Sequence, residues 1–132
     1  MNAITPLQKV KLLVILKQLS WSRAELNIDT SDGRAIDDLY ERMAELHDNL
    51  QDARNEVRGG QYLTQIEPPS SRYFEPTSVA SKMPDGSWVG WTYWCGGGKH
   101  SEPEAAPWME DAYNLTCTEK EVTVTQREFA LV

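Results

Sequence analysis

A heptad repeat over residues 36–57 constrains the fold more than any other part of this sequence. Its apolar residues are spaced alternately three and four positions apart, which places them on one stripe of a helix. Most other positions in the repeat carry charged or amide side chains. The pattern predicts one long helix that ends near Arg58, before Gly59-Gly60, and for which Thr30, Ser31 and Asp32 are all candidate N-caps. The stripe consists of Ile36, Leu39, Met43, Leu46, Leu50, Ala53 and Val57.

A second helix is predicted upstream of the repeat. Thr5 and Pro6 suit its first positions, and Gln8 completes a capping box with Thr5. Apolar residues from Leu7 to Leu19 cover most of its circumference, so it needs neighbours on more than one side. We expect these to be the long helix and the same helix of a second copy. Residues 1–60 are thus predicted to form a helical dimerisation region, with the heptad stripe as the seam of a homodimer.

The composition changes after Gly60, where most of the proline and tryptophan residues occur. Residues 61–132 are predicted to form a Trp-rich β-sheet region, either within one compact domain or as a second subdomain. The predicted fold class is α+β: a helical hairpin followed by a small antiparallel sheet. A Pro-Asp-Gly turn favours a β-hairpin. The predicted elements are a short strand in 61–67, hairpin strands at 77–82 and 87–95, one or two helical turns in 104–115 and a last strand at 121–129.

The charge balance limits the classes of partner. The chain has 13 basic and 20 acidic residues and a net charge of −7. Phosphate binding needs clustered Lys and Arg, so we expect no nucleic-acid partner and instead a protein with a basic surface. The apolar run Leu12–Leu16 is too short to span a bilayer, and we expect no membrane association. Two cysteines cannot form a disulfide framework, which favours a cytoplasmic protein with reduced thiols.

Two alternative functions rest on other residues. A small hydrolase or metal-binding protein would use Cys95 and His100, with Cys117 nearby. A structural zinc site needs four ligands and usually a close cysteine pair, so we predict neither a metal nor a cofactor. A helix-turn-helix regulator would use residues 5–58, with Arg23–Leu26 as its middle element. Its third helix would present an acidic face to DNA, which has the wrong sign for this role.

The strand at 87–95 is the most unusual segment because both of its faces are aromatic. Val89, Trp91, Tyr93 and Cys95 alternate with Trp88, Gly90, Thr92 and Trp94. We assign the first set to the core and expect the second to be partly exposed, with Trp88 and Trp94 flanking a glycine notch. Burial of both faces between sheet and helices is the commoner arrangement for such residues. The predicted protein-binding site comprises Trp88, Trp94 and Trp108, with Glu104, Glu110 and Asp111 as its acidic rim.

The block from Trp91 to Tyr113 resembles the C-terminal part of small uncharacterised phage and prophage proteins. The residues concerned are Trp91-Thr92-Tyr93-Trp94-Cys95-Gly96-Gly97-Gly98-Lys99-His100 and Pro103-Glu104-Ala105, followed by Trp108-Met109-Glu110-Asp111-Ala112-Tyr113. This resemblance implies a phage accessory role and no chemistry. The short, acidic, motif-free chain is also similar in character to phage inhibitors of host defence such as anti-CRISPRs. We therefore expect a non-enzymatic protein-binding module, such as a phage-encoded inhibitor or regulator of a host protein.

Overall fold

The computed structural model describes residues 3–72, 74–96 and 107–132, and within them three helices precede a four-stranded antiparallel sheet. This confirms the predicted α+β class. The strand order in the sheet follows the order in the chain. The elements are α1 (Pro6–Ser22), α2 (Gly33–Leu46), α3 (Gln51–Arg58), β1 (Tyr62–Leu63), β2 (Glu75–Lys82), β3 (Trp88–Cys95) and β4 (Tyr113–Leu115).

The predicted start of α1 is confirmed, and of the three candidate caps for the next helix the structure uses Asp32. The Thr5 hydroxyl accepts a hydrogen bond from the Gln8 amide (3.1 Å), and the Gln8 side chain accepts one from the Thr5 amide (2.9 Å), so the capping box is complete. The Asp32 carboxylate accepts bonds from the amides of Arg34 and Ala35 and caps α2. These caps satisfy backbone donors that have no partner within the first turn of a helix.

Helix α1 lies at the centre of the fold. It contacts α2, α3 and β3, which explains why its apolar residues surround most of the helix. Val10, Val14 and Ile15 are fully buried, and Leu12 is almost so. All of these contacts are made within one chain, so α1 has neighbours on several sides without a second copy.

The prediction of one long helix to Arg58 is wrong. The chain turns sharply at Asp48–Leu50, where three consecutive residues have φ values of 56°, 60° and 57°. Each left-handed residue costs about 1–2 kcal/mol, although Asp and Asn tolerate this region better than most. The bend lets α2 and α3 each pack on α1, and it buries Leu50 completely. Leu46, which ends α2, is left 78% exposed, so the heptad stripe is interrupted at this residue.

The predicted hairpin is confirmed as β2 and β3. Its turn is closed by a bond from the Met83 amide to the Ser87 carbonyl oxygen (2.7 Å), and Gly86 takes a φ of 91°. The Asp85 carboxylate accepts bonds from both the amide and the hydroxyl of Ser87 (2.9 and 2.6 Å). These bonds lower the pKa of Asp85, with the Ser87 hydroxyl contributing most.

Arg58 joins the last helix to the sheet. Its carbonyl oxygen accepts a bond from Trp91 Nε1 (2.7 Å), and its Nη1 donates to the Trp94 carbonyl oxygen (2.6 Å). Its guanidinium also lies 4.7 Å from the centre of the Tyr93 ring. The C-terminal end of α3 is therefore fixed against the middle of β3.

The remaining strands differ from those predicted. The strand expected at 61–67 is reduced to the two residues of β1, and the region expected to hold helical turns contains a turn at 108–111 followed by β4. The last strand, predicted at 121–129, is absent. Residues 116–132 carry no helix or strand and are all exposed. Alternation of Val and Thr favours a strand, but within residues 3–72, 74–96 and 107–132 no strand pairs with this segment.

Candidate protein-binding face

The two faces of β3 have the orientation that the sequence predicted. Val89 and Trp91 are fully buried toward the helices, and Trp91 packs on Trp108 with ring centroids 5.4 Å apart. Trp88 and Trp94 belong to the other side of the strand and are half-buried, although Trp94 also packs against the core. We call this second side, which also carries Gly90 and Thr92, the outer face.

The glycine notch expected between the two tryptophans is filled. A β-carbon placed on Gly90 would lie 2.6 Å from Leu115 Cδ1 and 2.8 Å from Tyr113 Cε2. The side chains of β4 therefore lie over Gly90, and Thr92 beside it is buried. Coverage by β4 divides the outer face into a Trp88 end and a Trp94 end.

An open groove runs along the Trp88 end. It has a volume of about 470 Å³, and we call it the aromatic groove. Tyr62 is 58% exposed and its ring lies 5.5 Å from that of Trp88. The carboxylate residue Glu119 lies on the wall of the groove. The apolar lining is completed by Leu63, Ile66, Ala80 and Leu115. Exposed apolar area with a charged edge is typical of protein-binding sites.

The Trp94 end is less open. Phe74 packs edge-on against the Trp94 ring, with centroids 6.1 Å apart. The indole nitrogen of Trp94 is buried and has no hydrogen-bond partner among the described residues; the same holds for the hydroxyls of Ser78 and Tyr113. An unpaired buried polar group costs about 1–3 kcal/mol. Because its N–H is buried beneath neighbouring groups, Trp94 presents less to a partner than Trp88 does.

Trp108 does not belong to the surface patch in which it was predicted. It is only 1% exposed because it fills the core beside Trp91. Met109 follows it into the core, and the Tyr40 hydroxyl donates to its sulfur (3.7 Å). Burial raises the pKa of Tyr40, Arg54 opposes that shift, and Glu110 adds to it.

Neither of the described acidic residues of the predicted rim lies at the aromatic groove. Glu110 and Asp111 are exposed, but their turn packs against α2 through Met109 and Tyr40. They are therefore not part of the lining of the aromatic groove. Glu104 lies outside the described residues.

The predicted dimer seam is largely used within the chain. Ile36, Leu50 and Ala53 are fully buried, and Met43 is nearly so. Leu39 and Val57 pack against the same core and are half-buried. Among the seam residues, Leu46 alone is exposed, so a contact between copies through this seam would have to centre on Leu46.

The structure also shows the positions of most residues on which the two alternative functions depend. Cys95 Sγ donates to the Glu75 carbonyl oxygen (3.3 Å), and Cys117 is an exposed free thiol. His100 lies outside the described residues, and within the described ranges no three His, Cys, Asp or Glu side chains are grouped as a metal site would require. Residues 23–26 are not helical, so the middle element of a helix-turn-helix is missing there.

Sequence reasoning missed the residues that form the groove around Trp88. Tyr62, Ile66 and Leu115 lie on segments that are short or irregular, and their place depends on strand register. Tyr62 pairs with Ala80, and Leu115 pairs with Trp88. The alternation of Tyr113 and Leu115 around Asn114 was the available signal, but a three-residue strand is too short to be recognised by its period.

None of the helices in the described ranges combines the length and apolar character needed to cross a bilayer. Comparisons with protein-family models, curated proteins and solved structures found no match to this chain.

Proposed function

We propose that this protein is a non-enzymatic binding module that takes a protein partner with a basic surface on the outer face of its sheet. The observation that carries the proposal is the aromatic groove, where Tyr62 and Trp88 stand beside Leu115 in an open site. Tryptophan and tyrosine dominate binding energy at protein interfaces because they bury large areas with few rotatable bonds. The groove supplies such an anchor.

The charge of the chain supports a basic partner. Its net charge is −7, and Glu119 lines the groove itself. Glu67, which follows Ile66, is exposed. An apolar centre with acidic residues at its edge fits a segment that carries an apolar anchor flanked by Lys or Arg.

The sequence resemblance to phage proteins extends this proposal. It favours a phage-encoded inhibitor or regulator that acts on a host or phage protein in the cytoplasm. Reduced cysteines and an acidic surface suit that setting. An accessory protein of this kind acts by binding to a surface of its partner, so a binding groove is sufficient for its role.

The experiment is affinity capture from a bacterial lysate, followed by titration calorimetry with the purified partner. Three forms are compared: the unaltered protein, Trp88→Ala and Trp21→Ala. Trp21 is the matched control because it is 50% exposed but lies at the end of α1, outside the outer face. Circular dichroism establishes that all three forms are folded.

We expect Trp88→Ala to weaken binding at least tenfold, since removing a central aromatic anchor typically costs about 2 kcal/mol or more. Trp21→Ala should bind normally. Raising the salt concentration should weaken binding, because acidic groups near the groove meet basic groups of the partner. Equal binding by the unaltered protein and Trp88→Ala would refute the groove as the site.

A further inference from the structure

The exposed segment 116–132, here called the tail, has a strand-like sequence, but none of the described strands pairs with it. Val122 and Val124 alternate with threonines and are 70% and 74% exposed. Phe129 and Leu131 are more exposed still. β-Branched residues in alternation favour extended structure, and their apolar side chains gain free energy when another strand covers them.

The tail is poorly suited to fold back on its own sheet. It follows β4 directly, so pairing with that strand would require a reversing turn immediately after Leu115. Residues 116–121 are Thr-Cys-Thr-Glu-Lys-Glu and contain no Gly, Pro, Asn or Asp. Tight hairpin turns depend on those residues because they accept positive φ or pre-set the turn.

We propose that the tail pairs antiparallel with the tail of a second copy, around a two-fold axis at Val124. In this register Val124 faces its own counterpart and Thr123 faces Thr125. Lys120 then faces Glu128, and Glu121 faces Arg127. All four charged residues between 120 and 128 are therefore opposite a residue of the other sign.

Neighbouring registers lose this complementarity. A slip of one residue in one direction places Glu121 opposite Glu128, and a slip in the other places Lys120 opposite Arg127. Like charges directly opposite each other destabilise a strand pair. This charge pattern favours pairing with the tail of a second copy. Two identical antiparallel tails related by a two-fold axis make the same complementary charge contacts with each other.

The same register places the apolar end of each tail beside the partner copy's sheet. Phe129 and Leu131 of one tail stand opposite Glu119 and Cys117 of the other. Glu119 and Cys117 line the aromatic groove at the point where the tail leaves β4. A two-stranded ribbon is only marginally stable by itself, so contact with the groove edge adds apolar burial that the ribbon needs.

The test is sedimentation equilibrium of the full chain between roughly 10 and 500 µM, a range suited to a weak dimer. Arg127→Glu creates a repulsive pair on each side of the axis and should raise the dissociation constant about tenfold or more. The double variant Glu121→Arg/Arg127→Glu exchanges the two charges and should restore association. Arg72→Glu is the matched control, since it makes the same charge change at an exposed site outside the tail.

The proposal is supported if self-association is lost in Arg127→Glu, kept in Arg72→Glu and restored in the double variant Glu121→Arg/Arg127→Glu. A monomer throughout the concentration range overturns it, as does a double variant that fails to associate. Leu46→Glu separates the two possible dimers. If it dissociates the protein while Arg127→Glu does not, the copies meet through the helices and the tail pairing is wrong. The readout here is self-association of the purified protein, whereas the proposed function is tested by partner binding of Trp88→Ala, so failure of one proposal is distinguishable from failure of the other.

Discussion

Two of the three indole groups of β3, those of Trp91 and Trp94, test the face assignment, and the first test is the substitution Trp91→Phe. Trp91 is fully buried and its N–H donates to the Arg58 carbonyl oxygen at 2.7 Å. Phenylalanine removes that donor and leaves a buried acceptor unpaired, which costs about 1–3 kcal/mol. The smaller ring also leaves a void beside Trp108, and cavities in a core add to the loss. We expect the unfolding free energy to fall by about 2–4 kcal/mol as the sum of these two effects.

The matched control is Trp94→Phe, which removes the same atoms from the opposite face. The Trp94 N–H is buried without a partner among the described residues, so its removal relieves a desolvation cost instead of breaking a bond. We expect the unfolding free energy of Trp94→Phe to change by less than about 1 kcal/mol. Guanidinium denaturation followed by circular dichroism measures both variants. An equal loss in the two would show that the Trp91–Arg58 bond contributes nothing specific, and a larger loss in Trp94→Phe would reverse the assigned faces.

Three further substitutions test other contacts. Gly90→Ala forces a methyl group toward Leu115, and urea denaturation should show a loss of about 1–3 kcal/mol; no loss would mean that β4 does not cover this position. Asp48→Gly removes a side chain from a residue with φ of 56°, so calorimetry should show a higher Tm, and a lower Tm would contradict the strained turn. Asp37 is partly desolvated, which raises its pKa, but hydrogen bonds from Gln8 and Lys11 and the lysine charge lower it overall. Its contribution to stability is therefore present above the usual pKa of 3.8 and lost as the pH falls through the lower folded value. Asp37→Asn should be less stable than the unaltered protein at pH 7, and the difference should shrink in acid when both are melted across that range.

Local signals in the sequence predicted most of the elements that local chemistry determines. Thr5 and Gln8 specify the start of α1 through bonds within one turn, and Asp85 specifies the hairpin through its bonds to Ser87. The alternation of Val89 and Trp91 likewise gave the core face of β3. For the helix cap and the hairpin turn the deciding contacts join residues that are close together in the sequence, and for β3 the period of two was enough to separate its faces.

Tertiary contacts decided the features that the sequence did not predict. The heptad stripe is compatible with a straight helix, but bending at Asp48–Leu50 allows two helices to pack on α1, and that burial outweighs the backbone cost. The acidic residues beside Trp108 suggested that it lies on the surface, but its ring packs against Trp91 in the core. The aromatic groove depends on the pairing of β1 and β4 with their neighbours, and sequence periodicity does not determine pairing.

The sequential strand order has a consequence for how the chain folds. Strands β2 and β3 are separated by five residues, 83–87, whereas seventeen residues, 96–112, separate β3 from β4. Loop closure costs more entropy as the loop lengthens, and a short hairpin forms within about 1–10 µs. The β2–β3 hairpin is therefore expected to form early and to present Trp91 as a surface on which α1 and the end of α3 condense. Strand β4 would then join last, so side chains at the hairpin turn should influence the folding rate, whereas those of β4 should mainly influence the unfolding rate.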